Sequence, residues 1–352
     1  MKLIEQHKKA KYRFQGSGPR NINILKEAFQ HISECELADT YGNGEIIEKF
    51  EKKFAKILGK EAAVFMPSGT MAQQIALRIY ADEKNCNKIA YHPLSHLEIH
   101  EQDAVKTMHH LETILIGESN RLFTLEDLMS IKEEISTLLI ELPQREIGGS
   151  LPTFEELQSI VKYARLKGIH LHLDGARLFE ALPFYQKSPS EISACFDSVY
   201  ISFYKGIGAI AGAILAGEKE FIDKAKIWKR RHGGDLISLY PYIITADYFY
   251  EKRKDKMQEF YLKAKELAKY FNDLSFAYTL PKIPMTNMFH VYVEKSRDEL
   301  EKIIAKVFDD FDVSITNHII EINETTSKFE ISIGEDFSKI PKDLLKQIFS
   351  DI

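Results

Sequence analysis

The sequence predicts an α/β protein: a large domain with a mostly parallel central sheet, followed by a smaller C-terminal α+β domain. Three observations predict it. Short, continuously apolar runs alternate with amphipathic helical runs over the first two thirds of the chain, as strands covered on both faces by helices do. Helical runs stop at glycine or start after proline. After Asp247 a long polar helical run gives way to strand, helix, strand and helix.

In order, residues 1–40 form an N-terminal segment that joins neither sheet, residues 41–247 the large domain and residues 248–352 the small one. The first large-domain helix spans 46–58, with Ile46, Ile47, Phe50, Phe54, Ile57 and Leu58 at helical spacing and Gly59 as its stop. A strand at 63–66 leads to a helix over 68–80 that opens on Ser68, a favourable cap residue. Strands follow at 89–92, 114–116 and 138–141. A helix over 154–167 starts after Pro152-Thr153 and ends at Gly168. Strands at 169–173, 198–203 and 212–216 complete the sheet. The small domain reads as a helix over 247–272, a strand over 287–293, a helix over 297–309, a strand over 329–334 and a helix over 341–349.

Composition narrows the function. A chain of 352 residues, 44% hydrophobic, has material for a large core. Its net charge of −5 leaves no basic footprint for nucleic acid or for an anionic membrane. Cys35, Cys86 and Cys195 are odd in number and far apart, so neither a disulfide framework nor metal-ligand spacing is read from them. No run approaches the ~20 apolar residues of a membrane span, and the first eight residues lack a signal core. A soluble, cytoplasmic protein acting on a small molecule is expected.

Four strings carry chemistry. In His170-Leu171-His172-Leu173-Asp174-Gly175-Ala176-Arg177 an apolar strand ends on a carboxylate just before a glycine. Ligands of open α/β sheets bind outside the carboxyl ends of strands, so Asp174 is placed to face one. Paired with a pyridine nitrogen, it would keep that nitrogen protonated and the ring electron-withdrawing. In Ser202-Phe203-Tyr204-Lys205-Gly206-Ile207-Gly208 a second strand ends on a lysine in a glycine-rich turn. Desolvation there lowers proton affinity and suits covalent chemistry at the amine. Met66-Pro67-Ser68-Gly69-Thr70-Met71-Ala72 lies between strand and helix, where unpaired N–H groups and two hydroxyls fit a phosphate; an ordinary capped helix has the same pattern. In His96-Leu97-Glu98-Ile99-His100-Glu101, His96 can stack on an aromatic ring or move a proton. His96 and His100 have the i, i+4 spacing of metal ligands but lack a third, and no metal is expected.

Together these strings resemble the threonine aldolase branch of the β-eliminating lyase family, enzymes that use pyridoxal 5'-phosphate (PLP) on the aspartate-aminotransferase scaffold, fold type I. The resemblance covers residues 39–216 and continues more weakly to the end. It implies that Lys205 is the Schiff-base lysine, that Asp174 pairs with the pyridine nitrogen, and that Arg177 meets the ring hydroxyl or the substrate carboxylate. His96 falls on the ring-stacking histidine, with Glu101 at the familiar spacing. Ser68, Gly69 and Thr70 fall in the phosphate loop. Tyr41-Gly42 looks like the family's Tyr-Gly motif, which reaches a neighbouring subunit's site, and Arg230 lies where a basic residue meets the partner's phosphate. A homodimer or homotetramer with shared active sites follows from the resemblance. So does cleavage of a β-hydroxy-α-amino acid to glycine and an aldehyde, catalysed by Lys205, His96 and Asp174. β-Elimination, racemisation, transamination, or cofactor binding without turnover would use the same residues.

The sequence departs from the family near its start, in the C-terminal domain and in the loop after Glu141, Leu142-Pro143-Gln144-Arg145-Glu146-Ile147-Gly148-Gly149. Residues 13–19, Arg13-Phe14-Gln15-Gly16-Ser17-Gly18-Pro19, replace the family's Ser-Asp-Thr string. Lys328-Phe329-Glu330-Ile331-Ser332 lacks the arginine that grips the substrate carboxylate, and Glu330 would repel it. Arg145, just past the strand ending at Glu141, is expected to take over that role with Arg177.

Overall fold

The computed structural model describes residues 2–18 and 20–352; Met1 and Pro19, the last residue of the 13–19 string, lie outside them. The chain divides into two units. The larger comprises Asn21–Glu146 and Leu151–Asp255; the smaller comprises Ile147–Ser150, Lys256–Ile352 and the described residues up to Arg20.

The larger unit is built on seven strands: β1 (Ala62–Met66), β2 (Lys88–Tyr91), β3 (Glu112–Leu115), β4 (Thr137–Glu141), β5 (His170–Asp174), β6 (Ser198–Ser202) and β7 (Ala213–Gly217). Their order is β1-β7-β6-β5-β4-β2-β3. Every neighbouring pair is parallel except those of β7, which runs against both β1 and β6. The sheet is thus mostly parallel, as the sequence predicts. β6 and β7 are buried at every position, so their apolar runs show no alternation. Helix α1 (Glu45–Leu58) buries Ile46, Ile47, Phe50, Phe54 and Leu58 on one face and ends at Gly59, which takes the left-handed conformation. Helix α2 (Gly69–Lys84) follows β1, and its Ile75, Ala76 and Ile79 pack in a cluster with Leu215 of β7. A short helix α3 (His96–Ile99) follows β2, and α4 (Phe154–Leu166) lies between β4 and β5. The residues from Leu178 to Tyr185 form α5 and those from Lys219 to Arg231 form α6.

The smaller unit has a four-stranded antiparallel sheet. Its strands β8 (Ala277–Leu280), β9 (Met288–Val293), β10 (Ile320–Asn323) and β11 (Thr326–Ser332) stand in the order β10-β11-β9-β8. Phe271 lies edge-on to Phe289 of β9 and Phe329 of β11. Phe14, fully buried, meets Phe271, Phe337 and Phe349, and Tyr12-Arg13 pair in parallel with Val313-Ser314. These contacts draw the N-terminal residues to this unit without adding them to either main sheet. The expected segment 1–40 is therefore divided between the units after Arg20.

The single helix expected over 247–272 is two: α7 (Tyr240–Arg253) and α8 (Met257–Asn272), separated by a 3-10 turn at Lys254–Lys256. The intervening lysine-rich stretch holds no Gly or Pro, so nothing local announces the break. It falls where the chain passes from one unit to the other. Among the described residues no helix is long and apolar enough to cross a membrane.

Candidate active site

The carboxyl ends of β4, β5 and β6 open on a cavity in the larger unit. Lys205, Asp174 and His96 line it. So do Gly69 and Thr70 at the start of α2, and Arg145 and Arg177 from the turns after β4 and β5.

Asp174 is the last residue of β5 and only 2% exposed. Its Oδ2 accepts from Gln73 Nε2 at 2.7 Å and its Oδ1 from the Ala176 N–H at 3.1 Å. Burial pushes its pKa up. Glu141, the last residue of β4, is its register partner on the neighbouring strand and also lines the cavity. Burial, then the nearby Asp174, raises the Glu141 carboxyl strongly. Two carboxyls at adjacent strand ends therefore favour holding at least one proton between them.

His96 begins α3. Its Nδ1 lies 3.0 Å from Glu101 Oε1, and Glu101 Oε2 accepts from Gln74 Nε2 at 3.3 Å. A buried carboxylate at Nδ1 holds a proton there and leaves Nε2 as the proton-accepting nitrogen. Lys205 sits in the turn after β6, with Nζ 5.4 Å from the centre of the Tyr204 ring. The buried Glu180 packs against this turn so closely that a Cβ on Gly206 would lie 2.1 Å from Glu180 Oε1. Arg177 Nη1 reaches the same Glu180 at 3.9 Å.

The turn into α2 is equally tight. A Cβ on Gly69 would lie 1.9 Å from the Tyr200 hydroxyl, so only glycine lets the helix start here. The first turn of α2 carries no acidic residue. Ser68 does not line the cavity: it caps α2, its side chain accepting from the Met71 N–H at 3.2 Å. Arg145 begins a short 3-10 turn, its N–H donating to Glu141 Oε1 at 3.1 Å.

Tyr41 and Arg230 stand apart from the cavity and next to each other. The Arg230 guanidinium lies 5.9 Å over the Tyr41 ring, and both are largely exposed. Tyr41 holds a positive φ of 50°, its N–H bound to the Ile237 carbonyl. Glu330, in the smaller unit, sits opposite His290 across β11 and β9, 3.9 Å away.

Glu141, Gln73 and Tyr200 are not among the residues that the sequence motifs mark. Glu141 obeys the rule that picks out Asp174, a charged residue ending an apolar strand. Gln73 lies one helical turn past Gly69 and Thr70, and nothing local distinguishes it. Tyr200 reads as an ordinary strand residue.

The chain is 56% identical, with a TM-score of 0.98, to a solved structure of a candidate L-allo-threonine aldolase from Listeria monocytogenes EGD-E, covering 99% of this chain and 97% of that one. It is 48% identical, with a TM-score of 0.97, to a candidate aromatic amino acid beta-eliminating lyase/threonine aldolase from Exiguobacterium sp. 255-15, over 99% and 98% of the two chains. Low-specificity L-threonine aldolase 1 of Arabidopsis thaliana is 29% identical over 329 residues, 89% of this chain and 88% of that relative. Residues 30–296 match the model of the beta-eliminating lyases. With that match spanning most of its length and the fold-type-I sheet in place, the chain belongs to the beta-eliminating lyase family.

Proposed function

We propose that the protein is a PLP-dependent carbon–carbon lyase of the threonine aldolase type, cleaving a β-hydroxy-α-amino acid between Cα and Cβ into glycine and an aldehyde. The observation that carries this reading is the convergence of Asp174, Lys205, His96 and the start of α2 on one cavity.

The donor set fits the cofactor. Asp174 is buried and its two hydrogen-bond donors are neutral, so a protonated ring nitrogen would bring the charge it lacks. The start of α2, free of acidic residues in its first turn, suits a phosphate. Lys205 would carry the cofactor through Nζ, and His96 would lie against the ring. When bound, PLP supplies a sink for the electron pair released as the Cα–Cβ bond breaks. Arg145 and Arg177 would hold the substrate carboxylate, which fixes the bond to be broken in the reactive orientation. His96 Nε2 would take the β-hydroxyl proton, with Glu101 stabilising the charge that forms on the ring.

Tyr41 and Arg230, paired and exposed, would serve a neighbouring copy's cavity in a homodimer or homotetramer. A second reading, β-elimination on an aromatic amino acid, is raised by the Exiguobacterium neighbour, which is described by both activities. Product analysis with L-threonine, L-allo-threonine and L-tyrosine separates the two. Glycine with acetaldehyde from either threonine supports the aldolase; ammonia with a keto acid, and no glycine, supports the elimination.

A further inference from the structure

We propose that Glu146 is a positioning residue: its carboxylate, steadied by His100, holds the Arg145 guanidinium at the cavity wall to receive the substrate carboxylate, a role that rests on the reading of Arg145 given above. Arg145 is tied down at its main chain by Glu141, but its side chain is long and costs entropy to order. Glu146 Oε1 meets Arg145 Nη1 at 2.9 Å. The same oxygen meets His100 Nε2 at 3.1 Å. His100 closes α3, the helix that His96 opens, and the two imidazoles stand 5.1 Å apart.

One carboxylate oxygen is therefore the joint between two loops. The loop after β2 brings the proton-accepting His96, and the turn after β4 brings Arg145. The side chains of Arg145 and Glu146 are 35% and 24% exposed, so water screens their pairing only in part. A glutamate alone beside Arg145 would compete with the substrate for it. A proton donated by His100 Nε2 to the same oxygen draws on that charge and leaves the guanidinium attractive to a second carboxylate. The pre-set guanidinium loses less freedom on binding, and binding tightens by that amount.

The test uses the cofactor-loaded protein and four forms: unchanged, Glu146→Ala, Arg145→Ala and the double variant. Each is read by kcat and KM for L-threonine or L-allo-threonine, and by calorimetric titration with glycine, which carries the carboxylate without turning over. Glu146→Ala is expected to raise KM and the glycine Kd by about five- to tenfold, the weight of one charge-assisted contact, and to move kcat by less than about threefold. In the Arg145→Ala background it should add nothing. Glu146→Gln, which keeps an acceptor oxygen, should recover most of the loss, as a merely structural role would not require. Unchanged glycine affinity in Glu146→Ala beside a clear loss in Arg145→Ala overturns the positioning role alone. So does full additivity in the double variant. Unchanged affinity in Arg145→Ala overturns both this role and the reading of Arg145 beneath it.

Discussion

Asp174 shows how one residue can be legible in sequence and still depend on the fold for its chemistry. A carboxylate ending an apolar strand before glycine is visible in the string itself. What raises its pKa, burial first and then the nearby Glu101 carboxylate, exists only once the chain has folded around it. The sign of that shift gives a stability test. A carboxyl whose folded pKa is raised stabilises below its unfolded value near ~4, and loses that contribution as pH rises through the folded value. A cationic ring nitrogen against Asp174 removes the penalty. The gain in melting temperature on adding PLP is therefore expected to grow from pH 5 to pH 8; a gain that shrinks over that range contradicts the pairing. Asp174→Asn keeps the shape and removes the charge, and is expected to lower kcat/KM by about two to three orders of magnitude, the weight of a main electrostatic group. Lys205 is equally legible, since it follows an apolar strand in a glycine-rich turn. Tyr41 and Arg230 were named only by resemblance, and their pairing at 5.9 Å across 189 positions of chain has no sequence signature.

At the scale of elements, capping was well marked and tertiary breaks were not. Thr153 and Glu156 form a reciprocal capping box at the start of α4, the start read from Pro152-Thr153. Thr153→Ala is expected to cost about 1 kcal/mol in chemical denaturation, with activity retained. The turn at Lys254–Lys256 has no such signal; it falls where the chain passes from one unit to the other. Two elements far apart in sequence meet through histidines. His109, closing the helix Ala104–His109, has Nε2 at 3.2 Å from Nε2 of His232, just after α6. Burial first, then His232, depress His109 to about 4. A histidine with a lowered folded pKa costs stability as pH falls from 6.5 towards that value, because the unfolded chain takes the proton first. Across that window His109 accounts for about 2–3 kcal/mol of acid destabilisation. His109→Gln is expected to flatten the fall in unfolding free energy between pH 6.5 and 4.5; an unchanged slope contradicts that assignment.

For the whole molecule, the alternation of apolar and amphipathic runs was enough to expect a mostly parallel sheet, because strands buried on both faces have nowhere to show polarity. The reversed β7 was not legible: an apolar run reads the same in either direction. Nor was the recruitment of Phe14 to the C-terminal unit's core, which rests on contacts more than 250 residues along the chain. Assembly has its own test. If Arg230 serves a neighbour's cavity, mixing Lys205→Ala with Arg230→Ala subunits is expected to regenerate activity, since hybrid oligomers then contain intact sites. No recovery, in mixtures shown to exchange subunits, would place Arg230 outside the neighbour's site.

The central claim is a PLP site built on Lys205. Its most direct measurement is the visible absorption spectrum of the purified protein with added PLP, beside that of Lys205→Ala. A visible cofactor band in the first that is lost or displaced in the second is expected. No band in the unchanged protein, or one that Lys205→Ala leaves as it was, would contradict it.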